Sequence, residues 1–309
     1  MSAAALPPSV VVLGQLSIDD VVLPDGQTAM ASCGGDATYA ALSASLWTGP
    51  VGVVAPAGAD FPEEHLAHLR TVGLELAGLP RPGAAIRYWV IYEADGRRRW
   101  LQRSPESSFS ETAPTPDDVP AAFRSAGAFH IAAMPLEAVE RLVAAVRTWA
   151  PDAILTLDTH EDEVAGFQDR IAAMLPNVSV FIPSREEVAS WLGWDDPVRA
   201  IGELGGLGQR ATVIKMGPDG SLVHDGVTGK ITEVGIAPGP VVDVTGAGDA
   251  FCGSLVAGLA IGDEIVQAAT RGAAGASLAL GDFGALHPWL VPDEASRRMA
   301  ATHVKAISG

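Results

Sequence analysis

Short, predominantly apolar runs recur along this chain, most of them closed by a glycine, a carboxylate or a turn. Ser9–Leu13, Val51–Val54, Ala128–Ala132, Ile154–Asp158 and Val178–Ile182 are such runs. They lack the polar alternate positions of a half-solvated strand, so strands built from them are buried on both faces. Helix-length stretches separate them: 62–71, 136–149, 163–175 and 185–192. Strands joined by helices run parallel with right-handed crossovers, and helices must then cover both faces of the sheet. The order predicts a three-layer α/β/α sandwich with a mostly parallel sheet. No interdomain linker or repeat appears, so residues 1–309 are expected to form one domain.

Two segments depart from that rhythm. Ala85–Glu93 and Arg97–Arg103 are β-prone runs around Ala94-Asp95-Gly96, a hairpin signal. Arg97, Arg98 and Arg99 suit a solvated hairpin face or recognition of an anionic group. Residues 104–120, rich in Pro, Ser, Glu and Thr, read as a surface connection. The second departure is 241–258, Val-Val-Asp-Val-Thr-Gly-Ala-Gly-Asp-Ala-Phe-Cys-Gly-Ser-Leu-Val-Ala-Gly. Pro238-Gly239-Pro240 precede it, and a smooth apolar run from Ala250 to Ile261 follows, so Gly246-Ala247-Gly248 lie where a loop enters a helix.

The first N–H groups of a helix have no internal partner and sit at the positive end of its dipole, so anions bind there. Gly246 and Gly248 let an anionic oxygen approach the backbone closely. Asp249 in that place suits a base acting on a neutral hydroxyl beside the anion, the arrangement that phosphoryl transfer to an alcohol requires.

Asp243-Val-Thr-Gly-Ala-Gly-Asp249 resembles the C-terminal signature of the ribokinase/PfkB family of carbohydrate and nucleoside kinases. The resemblance implies a ribokinase-like fold with a small β-hairpin lid, formed by about 85–103 with part of 15–33. It implies Asp249 as the catalytic base and Gly246, Ala247 and Gly248 as the anion hole, with Thr245 near the phosphates. Gly14 and Asp19 match the family's spacing after the first strand, where the Asp binds substrate hydroxyls; Gln15–Asp20 itself reads as a polar loop. Cys33-Gly34-Gly35-Asp36 matches its glycine pair, which makes Gly34, Gly35 and Asp36 substrate-site candidates. Tyr39 stands where the family usually has Asn, and suits either stacking on a base or sugar or a place in the core.

Glu187 matches the family's acid that organises Mg²⁺ through water, with Ser184 replacing an Asn beside it. Gly217 and Gly220 match a turn that lies along the nucleotide, with Lys215 at the preceding strand end able to face phosphates. Ser277–Ala285 resembles the adenine-side helix and loop, with Ser277 a nucleotide contact and Ala273 replacing an Asn. Asp243 is implicated in a K⁺ site. The implied reaction is transfer from ATP to a hydroxyl of a sugar or sugar-like substrate, with a nucleoside as the alternative acceptor and a non-catalytic sensor as the different-class rival.

Composition bounds the partners. There are 37 acidic against 20 basic residues, a net charge of −17, which disfavours nucleic acid and anionic membranes. No apolar run reaches membrane-spanning length. The N-terminal residues lack a signal peptide's basic start, and two cysteines, Cys33 and Cys252, in apolar or Gly-rich surroundings suit a reducing cytoplasm. The aromatic lid face suggests a homodimer. A metal site at His160 and Glu161 lacks a second cluster to support it.

Overall fold

The computed structural model describes residues 7–81, 83–94, 98–103 and 111–307. In chain order its strands and helices are β1 (Val10–Leu13), β2 (Ser17–Val22), β3 (Thr28–Gly34), α1 (Asp36–Ser45), β4 (Val51–Val54), α2 (Glu63–Thr71), β5 (Leu74–Gly78), β6 (Ile86–Tyr92) and β7 (Arg98–Gln102). Then come β8 (Ala128–Ile131), α3 (Leu136–Trp149), β9 (Ile154–Leu157), α4 (Glu161–Met174), β10 (Val180–Phe181), α5 (Arg185–Leu192), α6 (Pro197–Leu204) and β11 (Ala211–Lys215). The chain closes with β12 (Ser221–Asp225), β13 (Lys230–Val234), α7 (Ala247–Ala260), α8 (Ile265–Ala279), α9 (Pro292–Ala300) and β14 (Val304–Ile307).

The main sheet has ten strands in the order β14-β13-β12-β11-β10-β9-β8-β1-β4-β5. The pairs from β5 through β11 are parallel and the remaining three antiparallel. Side chains alternate between its faces. Val10 and Val12 enter one core with Leu42, Val256 and Leu278, under α1, α7 and α8. Val11 and Leu13 enter the opposite core with Leu142, Val146 and Ile171, under α3 and α4. Apolar strands covered by helices on both sides are thus realised as the apolar runs require.

Helices α1, α7 and α8 approach closely because small residues meet there. A Cβ on Gly253 would lie 1.9 Å from the Ala40 carbonyl oxygen, and one on Gly275 would lie 2.2 Å from Ser254 Oγ. Ser254 Oγ in turn accepts the indole N–H of Trp47 at 2.7 Å and bonds Ser43 Oγ at 2.6 Å. The Ala- and Gly-rich composition of α8 serves helix packing.

A second sheet, β3-β2-β6-β7, contains the expected hairpin. Its turn, Asp95 to Arg97, lies outside the described residues. Two expectations change. Gln15–Asp20 is mostly strand, because Ser17–Val22 finds partners on both sides, antiparallel β3 and parallel β6. The terminal helix expected over 292–305 stops at Ala300, and Val304–Ile307 instead pairs with β13. Strands β3, β5 and β13 and helix α6 carry no pattern strong enough to read from sequence.

Candidate active site

Helix α7 starts at the glycine pair. Gly246 is its N-cap in the left-handed conformation, at φ 73°. That φ and the packing both require glycine, since a Cβ here would lie 2.3 Å from the Tyr39 ring. Tyr39 is only 2% exposed and belongs to the core, so it supports the signature loop from beneath instead of facing a ligand. In the first turn the Ala247 N–H makes a long 3.4 Å contact with the Val244 carbonyl. By helix geometry the amides that follow have no carbonyl of their own helix to bond, which leaves them for an anion.

Asp249 sits in that first turn, next to Asp36 at the start of α1. Burial, followed by the Asp249 charge, holds the Asp36 carboxyl well above the usual carboxylate range. Asp36 Oδ1 accepts the Gln15 N–H at 2.6 Å, and a Cβ on Gly14 would lie 2.3 Å from that oxygen, so Gly14 makes room for Asp36.

Asp19, on β2, is buried and accepts the Ser17 hydroxyl at 2.7 Å. Burial raises it to about 7; the Ser17 bond opposes this and the Asp243 charge adds to it. A Cβ on Gly34 would lie 1.9 Å from Asp19 Oδ2, and one on Gly35 2.3 Å from the Gln15 carbonyl oxygen. The two glycines therefore let β3 and the α1 start close around Asp19 and Asp36.

Lys215, at the end of β11, reaches the same place from the other side. A Cβ on Gly248 would lie 3.6 Å from Lys215 Nζ, so the ammonium hangs beside the first turn of α7. Asp158 holds it in an ion pair, and Cys252 Sγ lies 3.8 Å from Nζ. Burial works against the ammonium, but Asp158 and then Cys252 and Glu187 prevail and hold Lys215 above its ordinary range.

Glu187 and Ser184 form a capping box at α5. Ser184 Oγ accepts the Glu187 N–H at 3.2 Å, and Glu187 Oε2 accepts the Ser184 N–H at 3.0 Å. Glu187 Oε2 also accepts the Thr159 hydroxyl at 2.8 Å. Burial first and Asp158 second raise Glu187 to about 7. Ser184 bridges to Lys215 in parallel register, which places Glu187 beside the Lys215–Asp158 pair. No group of three or more His, Cys, Asp or Glu able to hold a metal occurs among the described residues. A Mg²⁺ ion fits here only with water and phosphate oxygens completing its shell, which is its ordinary habit.

Asp243 is buried, and its Oδ1 accepts the Thr245 N–H at 2.9 Å and the Tyr92 hydroxyl at 2.6 Å. Tyr92 Oη also bonds Thr245 Oγ1 at 2.8 Å, tying β6 to the signature. Asp243 Oδ2 is buried without a hydrogen-bond partner. Gly217 and Gly220 both take positive φ in the turn after β11, and a Cβ on Gly220 would lie 2.3 Å from the Val234 carbonyl. Ser277, expected at the nucleotide, is buried; it donates to the Pro238 carbonyl at 3.0 Å and accepts from Arg298 at 2.9 Å. These bonds fix the loop ahead of the signature.

The structure thus gathers Asp19, Gly34, Gly35, Asp36, Lys215 and Gly246–Asp249 near the N-terminus of α7. Asp158, Thr159, Gln15 and Tyr92 join them without having been named as site residues. Only Asp158 carried a signal in sequence, a carboxylate ending a buried strand at the edge where α/β proteins bind ligands.

Against known proteins, residues 8–291 match the pfkB family carbohydrate kinase model. Over 266 residues the chain is 31% identical to a cytidine kinase from Thermococcus kodakarensis, covering 85% of this chain and 92% of that one. An adenosine kinase from Sinorhizobium meliloti superposes with a TM-score of 0.79 at 18% identity, over 95% of this chain and 99% of the other. A protein assigned as ribokinase II from E. coli, solved with ATP and Mg²⁺, gives 0.78 at 20% identity with the same coverage. The fold is therefore ribokinase-like, and the chain belongs to the pfkB family of carbohydrate kinases, which are ATP-dependent phosphotransferases.

Proposed function

We propose that this kinase transfers the γ-phosphoryl group of ATP to a ribose hydroxyl of a nucleoside. The observation that carries the substrate class is the 31% identity with a cytidine kinase, sustained over 85% of the chain. The sequence by itself favours a sugar, so the acceptor is revised here. Charge on the small sheet agrees with a neutral acceptor, because the arginines with described side chains there are paired: Arg87 with Asp60, Arg99 with Glu93 and Arg103 with Asp20.

In this reading 1–309 is one catalytic domain, and β2, β3, β6 and β7 are its lid. Asp19 and Asp36 hold acceptor hydroxyls at the Gly34–Gly35 opening. Asp249 takes the proton of the attacking hydroxyl as its oxygen bonds to the transferred phosphorus and the bond to the ADP oxygen breaks. The amides of Gly246, Ala247 and Gly248 and the Lys215 ammonium stabilise the charge on the transferred group. Thr245, Gly217, Gly220 and Ser184 line the nucleotide side. Bound Mg²⁺ supplies charge neutralisation between the phosphates, and Glu187 would orient its waters.

The test is ADP release from Mg-ATP with nucleosides, sugars, sugar phosphates and sugar acids as acceptors. Nucleosides are expected to give the highest kcat/KM, and Asp249→Asn to lower kcat about 10²–10⁴-fold with ATP affinity nearly intact. Preference for another acceptor class removes the nucleoside reading; turnover of the variant within a few-fold of wild type removes Asp249 as base. The orphaned Asp243 Oδ2 suits a monovalent cation, so K⁺ is expected to raise activity severalfold over Na⁺ at constant ionic strength. Equal rates in both salts exclude that role. A homodimer through the lid belongs to the same proposal, resting on Leu101 and Met30, both exposed; a monomeric mass by light scattering would exclude it.

A further inference from the structure

The lid's pairing register separates its two faces. Asp19 pairs with Tyr88 and Val21 with Val90 across β2 and β6. Tyr88 pairs with Gln102 and Val90 with Trp100 across β6 and β7. Directly paired residues share a face, and so do residues two apart along a strand. Asp19, Tyr88, Val90, Tyr92 and Trp100 therefore lie on one side.

That side is the inner one. Tyr92 bonds Asp243 and Thr245 of the signature, and Val90 is fully buried. The outer side is occupied by a separate group: the Arg103 guanidinium lies 4.7 Å from the Trp89 ring centroid and pairs with Asp20. On the inner side Trp100 stands apart from its neighbours. It is 46% exposed, whereas Val90 opposite it is buried, and the Tyr88 ring stands nearly perpendicular to it, at 87° with the ring centroids 5.6 Å apart. Burial, with Asp19 and Asp36 facing it, raises the Tyr88 hydroxyl to about 12, which puts this pair next to the hydroxyl-binding carboxylates.

We propose that Trp100, buttressed by the perpendicular Tyr88 ring, is the platform on which the nucleobase of the acceptor stacks. This rests on the nucleoside reading above. Two strand spacings across the sheet and two residues along it separate the Asp19 and Trp100 backbones by roughly 12 Å. Side chains reaching inward from both ends leave a span suited to a ribose at Asp19 and its base at the indole. A π-face accepts a flat neutral heterocycle without reading its edge, so the platform selects nucleosides over free sugars and tolerates several bases.

The experiment measures kcat and KM for cytidine and adenosine, with Mg-ATP saturating, in wild type, Trp100→Ala and Trp100→Phe. Trp100→Ala is expected to raise nucleoside KM about 10- to 100-fold and to lower kcat much less. Trp100→Phe, which keeps a π-face, is expected to recover KM to within about fivefold of wild type. Nucleoside turnover in wild type with an unchanged KM in Trp100→Ala overturns the platform and leaves the nucleoside reading standing. A loss of kcat in Trp100→Ala that phenylalanine does not restore assigns Trp100 to support of the lid and overturns the platform. Wild type inactive on both nucleosides but active on a sugar overturns the nucleoside reading and this inference with it.

Discussion

Asp19 shows how one residue carries both the site and a cost in stability. Its carboxyl is buried, and its proton is held to about pH 7. The unfolded chain gives up that proton near pH 4. Between those values the folded state binds more protons than the unfolded one, so the stability Asp19 contributes is full below about pH 4 and is lost as pH rises to about 7. Glu187 behaves alike, for the same reason of burial and a neighbouring carboxylate. Without ligands, the urea midpoint of wild type is expected to fall from pH 5.5 to pH 8 relative to Asp19→Asn, by about 2 kcal/mol in unfolding free energy. Parallel pH profiles for the two proteins would mean that Asp19 titrates as an ordinary carboxylate.

At the scale of elements, β6 is joined to the start of the signature through one hydroxyl. Tyr92 bonds Asp243 and Thr245 across 151 and 153 residues of sequence, and nothing in the local sequence of either segment announces it. A bond to a charged partner is worth about 1.5–3 kcal/mol, enough to bias a small sheet between closed and open. Tyr92→Phe is therefore expected to let water in and raise ATP hydrolysis without acceptor, relative to acceptor phosphorylation, about 5- to 50-fold. ADP release measured with and without acceptor gives that ratio. An unchanged ratio would show that the hydroxyl has no part in excluding water.

The whole molecule depends on closing the main sheet. Its antiparallel end is finished by the last described strand, β14, which crosses from α9 to cover β13. Without it, β13 would present unpaired N–H and C=O groups to solvent and to other chains. Deleting residues 303–309 is expected to lower the melting temperature by about 2–5 °C and to promote association on heating. Thermal denaturation followed by light scattering tests this; an unchanged transition would mean that β14 only decorates the edge. The net charge of −17 opposes non-specific association of the intact protein.

The sequence alone determined the layered architecture, because runs such as Val10–Leu13 can be buried only between two helical layers. It also determined where a loop enters a helix, since Gly246-Ala247-Gly248 before an apolar run is a local pattern. Sequence left Tyr39 open between a ligand and the core, and did not announce the bonds of Ser277, because each depends on what lies across the fold: the back of Gly246 for one, Arg298 and the Pro238 carbonyl for the other. Strands β3, β13 and β14 were hidden for a related reason. Many of their residues are only partly buried, and pairing partners elsewhere in the chain decide the conformation where intrinsic preference does not. Only the tertiary structure put Asp158 against Lys215, Tyr92 against Asp243 and Trp100 on the inner face of the lid. Each of those contacts is fixed by register and packing between distant segments, information that no single stretch of residues contains.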